Sequence, residues 1–183
     1  MSTQTRRHGD GGGAREVIGR TRPVVLVTRA TGGLGGRVVG RLCARGRFAV
    51  RAMCRRPAAL VGRSADTEGV EVVPGDLSDV DALRRAMTGC WVATGYVHAE
   101  HGNAACRQAF NLVDAAAGAG VGRVVLGVIG GADSADAAVD VLMLETYARA
   151  AGVEVSVLRF GAGGVQAAAR EMVDAVDMRT AAA

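Results

Sequence analysis

Six residues near the start of the chain have the composition and spacing of a turn that binds phosphate. Thr31–Gly36, the stretch TGGLGG, follows the apolar run Val24–Val27 and precedes Val38, Val39 and Leu42, which recur at helical spacing. A strand, a glycine-rich turn and a helix in this order present bare backbone N–H groups and a positive helix end to an anion. Glycine suits the turn because a Cβ would keep a diphosphate away from the backbone. The pattern predicts a dinucleotide site, and the alternative is a tight turn that binds nothing.

Residues 25–46, VLVTRATGGLGGRVVGRLCARG, resemble the opening of the atypical and extended short-chain dehydrogenase/reductase superfamily, and within it the NmrA-like NAD(P)-binding proteins. That family has the pattern TGATGxxGxxVVxxLLxxG after its first strand. The positions that match are Thr28, Ala30, Thr31, Gly32, Gly35, Val38, Val39, Leu42 and Gly46. The resemblance implies a Rossmann fold with NADP or NAD as cofactor. It implies that the turn holds this cofactor through Thr28, Thr31, Gly32, Gly33, Leu34 and Gly35, and we include Arg29, which lies among them.

Arg29 departs from the family pattern, because it occupies the position of the first glycine of TGxxGxxG. That glycine serves the tight turn that leaves the strand. We expect the backbone of Arg29 to stay in an ordinary region. Its side chain either covers the cofactor pocket or donates bidentately to a phosphate. The departure bears on cofactor affinity and leaves the fold unchanged.

Two adjacent arginines follow the second predicted strand, Phe48–Cys54. In this fold the end of that strand faces the adenosine ribose, where an acid selects NAD and an arginine pairs with the 2′-phosphate of NADP. The stretch VRAMCRRP contains no acid and is similar to the VRALVRxP of NmrA-like proteins, so Arg55 takes the matching position and Arg56 assists. NADP is the expected cofactor. A solvated arginine pair is the alternative.

The third predicted strand, Val70–Pro74, runs into GDLSD, which resembles the GDLxD of the family. The resemblance places Asp76 and Leu77 at the adenine, where a carboxylate accepts from the exocyclic amine and a leucine packs on the ring. Alternatively, Asp76 or Ser78 only caps the next helix, predicted over Asp79–Thr88.

The fourth predicted strand, Cys90–Thr94, is shorter than the corresponding strand of the family. A shortened strand would alter the floor of the nicotinamide pocket. The two residues at its end, Thr94 and Gly95, are those we expect nearest the cofactor.

The sequence assigns no catalytic residue. All 22 basic residues are arginine, so the chain has no Tyr-xxx-Lys pair, no Schiff-base lysine and no P-loop lysine. The fifth strand, which begins at Val121, ends in Gly127-Val128-Ile129-Gly130-Gly131, without the serines of many relatives. Ser134 comes later and is expected to cap the following helix.

A short window offers metal-ligand residue types at His98, Glu100, His101 and Cys106. The spacing fits no standard zinc motif, so we predict no metal site and expect solvated imidazoles at the rim of the pocket.

Composition indicates which classes of partner and which cellular compartment to expect. The net charge is +4, of which Met1–Arg22 supplies +3, so the pI near 9.3 is an effect of this tail and no nucleic-acid partner is predicted. Four cysteines without CxxC pairing indicate a reduced, cytoplasmic protein, with Cys43, Cys54 and Cys90 as buried thiols. No apolar run of membrane-spanning length occurs, and no membrane partner is expected.

These residues require an α/β scaffold to position them: a three-layer, doubly wound parallel sheet of about six Rossmann-like strands. Residues 1–22 are predicted to be a disordered Arg/Gly-rich tail and residues 23–183 the NAD(P)-binding domain, with a truncated C-terminal substrate region. The remaining predicted elements are a helix over Glu100–Gly120, a helix over Ala135–Ala151, a strand over Val153–Phe160 and a helix over Val165–Val176.

Three functions stay open at this point. The first is an NADP-preferring reductase or dehydrogenase of the NmrA-like type, in which the nicotinamide supplies the hydride and a small molecule accepts it. The second is a dinucleotide-binding redox sensor without catalysis, and the third is a degenerate copy that binds no cofactor. The sequence identifies neither the substrate nor the oligomeric state.

Overall fold

The computed structural model describes residues 22–60, 69–130, 135–161 and 164–178, and for 135–140 it describes the backbone alone. The predicted tail therefore lies outside the described residues, except for Arg22, and so does Ser134. Six strands form one parallel sheet in the order β3-β2-β1-β4-β5-β6. They are β1 Val24–Val27, β2 Ala49–Cys54, β3 Glu71–Pro74, β4 Val92–His98, β5 Arg123–Ile129 and β6 Glu154–Phe160.

Helices cover both faces of this sheet, which confirms the predicted three-layer Rossmann-like fold. Among the described residues, the α-helices are α1 Gly33–Arg45, α2 Val80–Met87, α3 Asn103–Ala119, α4 Ala135–Ala150 and α5 Val165–Asp177. The pair α1 and α5 packs on one face, and α2, α3 and α4 pack on the other. Within the described residues, no helix has the length and apolar composition that a membrane crossing needs.

Apolar periodicity explains why these segments fold against the sheet. In β1, the residues from Val25 to Val27 are at most 1% exposed, as expected of a strand covered on both sides. In α1, Val38, Val39 and Leu42 fall on one buried stripe, and Gly46 ends the helix with φ 64°. The carboxyl end of β1 and the amino end of α1 consequently meet at the first crossover of the sheet, where open α/β folds bind ligands.

The turn between β1 and α1 corrects one expectation. Arg29 has φ 51°, a left-handed backbone, and not the ordinary conformation expected for a residue that replaces glycine. Hydrogen bonds on either side explain this, because the N–H of Ala30 donates to Met53 O at 3.0 Å and the N–H of Gly32 donates to Arg29 O at 2.8 Å. The turn keeps the geometry that the family's glycine serves, at a cost on the order of 1 kcal/mol for a residue with a Cβ.

Strand β4 corrects a second expectation. It runs over Val92–His98, so the prediction of a short strand ending at Thr94 was wrong. The neighbouring strand β5 explains the difference, since it offers partners along its whole length up to the pair of His98 with Ile129. Glycine is needed at position 95 of this strand because a Cβ there would lie 2.2 Å from the Thr28 hydroxyl oxygen. The carboxyl end of β4 is consequently at Tyr96, Val97 and His98.

The start of α2 also differs from the two caps considered. Asp79 caps this helix, with its carboxylate accepting from the N–H of Ala82 at 2.9 Å. Asp76 instead accepts from the N–H of Ser78 at 2.9 Å, in a turn that precedes the cap. The carboxylate of Asp76 is thus directed to the loop after β3 and not to the helix.

Candidate dinucleotide-binding site

A cavity of about 190 Å³ opens at the carboxyl edge of the sheet, beside the ends of β1, β2 and β3. Six of the residues predicted to bind the cofactor line it, namely Arg29, Thr31, Gly32, Arg55, Asp76 and Leu77. The first crossover therefore does face a cleft.

Five further residues line the cavity that sequence reasoning did not select: Met53, Cys54, Gly75, Tyr96 and Gln108. Tyr96 was missed because the strand that carries it was predicted to end two residues earlier. A prediction that extended β4 to His98 would have identified Tyr96 as a candidate, because alternate residues of a strand face the same side. Gln108 lies within α3, and no motif marks it.

Thr28, Thr94 and Gly95 do not line this cavity. Thr28 and Thr94 are 0% exposed, and the N–H of Thr28 donates to Thr94 O at 2.9 Å. Gly95 lies directly against Thr28, and neither threonine hydroxyl has a hydrogen-bond partner among the described residues. These three residues join β1 to β4 beneath the site.

The other residues of the glycine turn have two roles: some pack α1 against the sheet, and others form the uncapped amino end of this helix. Leu34 is 2% exposed and Gly35 lies so close to Arg29 that a Cβ would be 2.3 Å from the Arg29 carbonyl oxygen. Gly33 is exposed, and a Cβ there would make only an ordinary contact, with Arg37 Nη1 at 3.9 Å. Gly32 is the N-cap of α1 and no side chain caps the helix, so its first amides remain available to an anion.

Arg29 lies on the wall of the cavity. Its guanidinium carbon is 5.1 Å from the centroid of the Tyr96 ring, in a cation–π contact. The Nη1 atom of Arg29 is buried, and it has no hydrogen-bond partner among the described residues. A buried donor without a partner carries the cost of lost hydration, which an anion at this position would offset.

Arg55 and Asp76 face each other at the rim of the cavity. Arg55 Nε lies 3.7 Å from an Asp76 carboxylate oxygen, and their side chains are 80% and 41% exposed. Both remain accessible to a ligand, because so exposed a pair is held by little energy. Arg56 does not line the cavity but borders an adjoining surface hollow of about 620 Å³, which also includes Thr31 and Arg55.

Two histidines lie at the carboxyl end of β4. The rings of His98 and Tyr96 meet edge to face at 5.6 Å, and the His98 and His101 rings are also 5.6 Å apart. Burial lowers the pKa of His98 below its ordinary value of 6.5, and the charge of Arg29 lowers it further, with Glu100 opposing both. Across the part of the chain that the structure describes, no three His, Cys, Asp or Glu side chains are placed to hold a metal ion.

Comparison with known proteins agrees with this geometry. The family model described as NAD(P)H-binding matches residues 30–175, the greater part of the chain. The chain belongs to this NAD(P)H-binding family. Over 111 residues it is 36% identical to FrzB of Cladobotryum sp, an oxidoreductase with an NmrA-like family domain, covering 56% of this chain and 32% of FrzB. The resemblance to NmrA-like proteins is confirmed.

Solved structures of NAD(P)-binding proteins are similar to this chain as well. The Citrobacter sp. triphenylmethane reductase complexed with NADP(H) has a TM-score of 0.60 and 26% identity, covering 75% of this chain and 48% of that one. A Rossmann-fold NAD(P)-binding protein from Shigella flexneri has a TM-score of 0.68 at 18% identity, covering 86% and 87%, which is a likeness of fold. The chain thus spans less than half the length of FrzB and of the reductase.

The cavity fits part of a dinucleotide. A volume of about 190 Å³ is below the roughly 300–1,000 Å³ of most ligand sites, but the hollow beside it shares Thr31 and Arg55 and extends the available space. The unpartnered nitrogen of Arg29 and the uncapped end of α1 both suit a diphosphate. The residues present therefore fit the nicotinamide dinucleotide that the family binds.

Proposed function

We propose that this protein is an NADPH-dependent reductase of the NmrA-like type that acts on a small molecule. The observation that carries the proposal is the cavity at the first crossover, where an uncapped helix, a buried unpartnered arginine nitrogen and a second arginine meet. When bound, the nicotinamide supplies the hydride, and the protein holds cofactor and acceptor face to face.

The diphosphate is assigned to Arg29, Thr31, Gly32 and the open end of α1 at Gly33. Gly33 is exposed and its N–H lies in the first turn of the helix, where a negative charge is favoured by the helix dipole. Arg29 would donate from its buried Nη1 atom, since this atom lacks a partner in the protein. Leu34 and Gly35 support the turn from the side of the sheet, and Thr28, Thr94 and Gly95 support it from below.

The adenosine end is assigned to the far wall of the cavity. Leu77 would pack on the adenine and Asp76 would accept from its amine, as the sequence predicts. Arg55, with Arg56 beside it in the adjoining hollow, would pair with a 2′-phosphate, which is the basis for preferring NADP over NAD. Since Arg55 already lies 3.7 Å from Asp76, a bound 2′-phosphate would compete with that carboxylate for the guanidinium.

Titration of the purified full chain with NADPH and NADH, followed by intrinsic fluorescence, tests the proposal. We expect both to bind and NADPH to bind more tightly. Turnover is then measured with a quinone, an aldehyde, a flavin and a triphenylmethane dye, the last chosen because of the related reductase. Oxidation of NADPH by one of these acceptors supports the reductase assignment.

A redox sensor that binds the dinucleotide without catalysis is the second candidate. It is favoured by the lack of any lysine in the chain and by the end of β5, where Gly127, Val128, Ile129 and Gly130 carry no hydroxyl. NADPH binding without turnover of any acceptor would support the sensor. A failure to bind NADPH at millimolar concentration would overturn both functions and favour a degenerate copy.

A further inference from the structure

A continuous column of side chains runs from the phosphate turn, past Tyr96 in the wall of the cavity, to the residues that follow β4. The guanidinium of Arg29 lies over the Tyr96 ring, the Tyr96 ring meets the edge of His98, and the His98 ring tilts against His101. We call these four residues the Arg29–His101 column. It connects the place assigned to the diphosphate with the carboxyl end of β4.

His98 occupies a position from which a proton can be exchanged. It is the last residue of β4, it pairs in register with Ile129 of β5, and its side chain is 31% exposed. Its Nδ1 lies 3.8 Å from a carboxylate oxygen of Glu100. The imidazole is thus shielded on one side by the column and open to water on the other.

The charges that act on His98 come from three described residues. Arg29 and His101 disfavour a positive imidazole, and Glu100 favours it. Burial disfavours it most of all, so the pKa of His98 lies below its ordinary value. Of these influences, the one from Arg29 depends directly on what occupies the phosphate turn.

We propose that His98 is the proton-holding residue of this site and takes up a proton when a diphosphate binds at Arg29. The inference rests on the proposed function. A diphosphate brings negative charge beside Arg29 and offsets the field of the guanidinium, so that a protonated imidazole becomes less costly along the column. By linkage, the dinucleotide then binds more tightly as the pH falls toward the range in which His98 is protonated.

This proton matches the chemistry of the site. When bound, the nicotinamide supplies a hydride, and a neutral acceptor such as a quinone or an aldehyde then needs one proton to balance the charge that the hydride brings. A protonated His98 would donate its ring proton to that acceptor and regain one from water through its exposed side. The binding of the cofactor would in this way prepare the proton donor before the acceptor arrives.

Nuclear magnetic resonance of the isotope-labelled full chain tests the proposal directly. The chain has only three histidines, His8, His98 and His101, and the variants His98→Gln and His101→Gln assign their signals. The pKa of His98 is measured without NADPH and at saturating NADPH. We expect it to rise on binding, and we expect Arg29→Gln to raise it already in the cofactor-free protein and to shrink the further rise.

The pH dependence of the dissociation constant for NADPH gives a second readout. Between pH 5 and 8, one linked proton changes the affinity for NADPH by up to about tenfold per pH unit. His98→Gln should make the affinity less dependent on pH in this range. His101→Gln should retain the dependence. The 2′-phosphate of NADPH titrates in the same range and makes the affinity depend on pH by itself. The pH dependence of the wild type is therefore compared with that of His98→Gln.

The two proposals fail in different ways. If NADPH binds and the pKa of His98 stays the same or falls, the inference is overturned and the proposed function stands. If NADPH does not bind, as judged by fluorescence in the same samples, the proposed function fails. A rise in the pKa of His98 that persists unchanged in Arg29→Gln would also overturn the coupling through the column.

Discussion

The hydroxyl of Tyr96 lies against the main chain of Gly32, so that a methyl group on Gly32 would be only 2.1 Å from this oxygen. Gly32 is the N-cap of α1, and Tyr96 stands near the carboxyl end of β4. The contact therefore joins the phosphate turn to the strand that carries His98. It also explains why glycine is needed here on account of the protein's own packing, in addition to any ligand.

Gly32→Ala should destabilise the protein, because the added methyl group meets the Tyr96 hydroxyl and must displace it. Overpacking of this kind costs about 1–3 kcal/mol. Tyr96→Phe removes the oxygen and leaves the ring carbon 3.4 Å from the methyl, so the loss should be smaller in the double variant. Urea unfolding of the four proteins gives the interaction energy, and an equal loss in both backgrounds would contradict the contact.

Gly35→Ala should cost more than Gly32→Ala, since its methyl would meet backbone atoms. The Arg29 carbonyl oxygen is 2.3 Å away and the Arg29 carbonyl carbon 2.9 Å away, and neither can rotate aside. Gly40→Ala is the matched control in α1, because nothing lies within 4 Å of its added methyl. This control should stabilise the helix by about 0.5–1 kcal/mol. Thermal unfolding in parallel checks the order of the three variants.

Local patterns were sufficient to predict the scaffold. Buried apolar runs gave the six strands, and Asp79 and Gly46 lie within two residues of the helix ends that the sequence indicated. The end of β4 could not be predicted in this way. Gly95 and Tyr96 resemble a turn in sequence, and only the partner strand β5, distant in the chain, keeps them extended.

The conformation of Arg29 was equally beyond local rules. A single sequence favours an ordinary backbone for arginine, because its Cβ makes a left-handed conformation costly. Here the backbone bond from Ala30 to Met53 and the bond from Gly32 back to Arg29 impose φ 51°. The column from Arg29 through Tyr96 to His98 depends on that conformation and on the longer β4. Because local rules predict neither of these two features, the column could not be expected from the sequence.

Arg29→Gln should weaken NADPH binding, because the buried Nη1 donor is the group assigned to the diphosphate. A charge-assisted hydrogen bond contributes about 1.5–3 kcal/mol, which corresponds to a loss of roughly tenfold or more in affinity. Arg41→Gln is the matched control, since Arg41 lies on the exposed face of α1 and donates to Gln166. Fluorescence titration of the three proteins gives the dissociation constants.

Arg29→Gly separates the two roles that the sequence left open for this side chain. If Arg29 binds the diphosphate, the glycine variant should bind NADPH more weakly than the wild type, although glycine suits φ 51° better. Tighter binding by Arg29→Gly would mean that the arginine covers the pocket, and it would refute the assigned contact.

Arg55→Gln should change the preference between the two cofactors. Its guanidinium lies at the rim of the cavity, 80% exposed and 3.7 Å from Asp76, where the 2′-phosphate of NADP is assigned. We expect the affinity for NADPH to fall by about tenfold, as for the loss of one charge-assisted contact, while the affinity for NADH changes little. Arg56→Gln, which alters only the adjoining hollow, should have a smaller effect. Parallel titrations of the wild type and both variants with NADPH and NADH give the ratios, and an equal loss for both cofactors in Arg55→Gln would place Arg55 away from the 2′-phosphate.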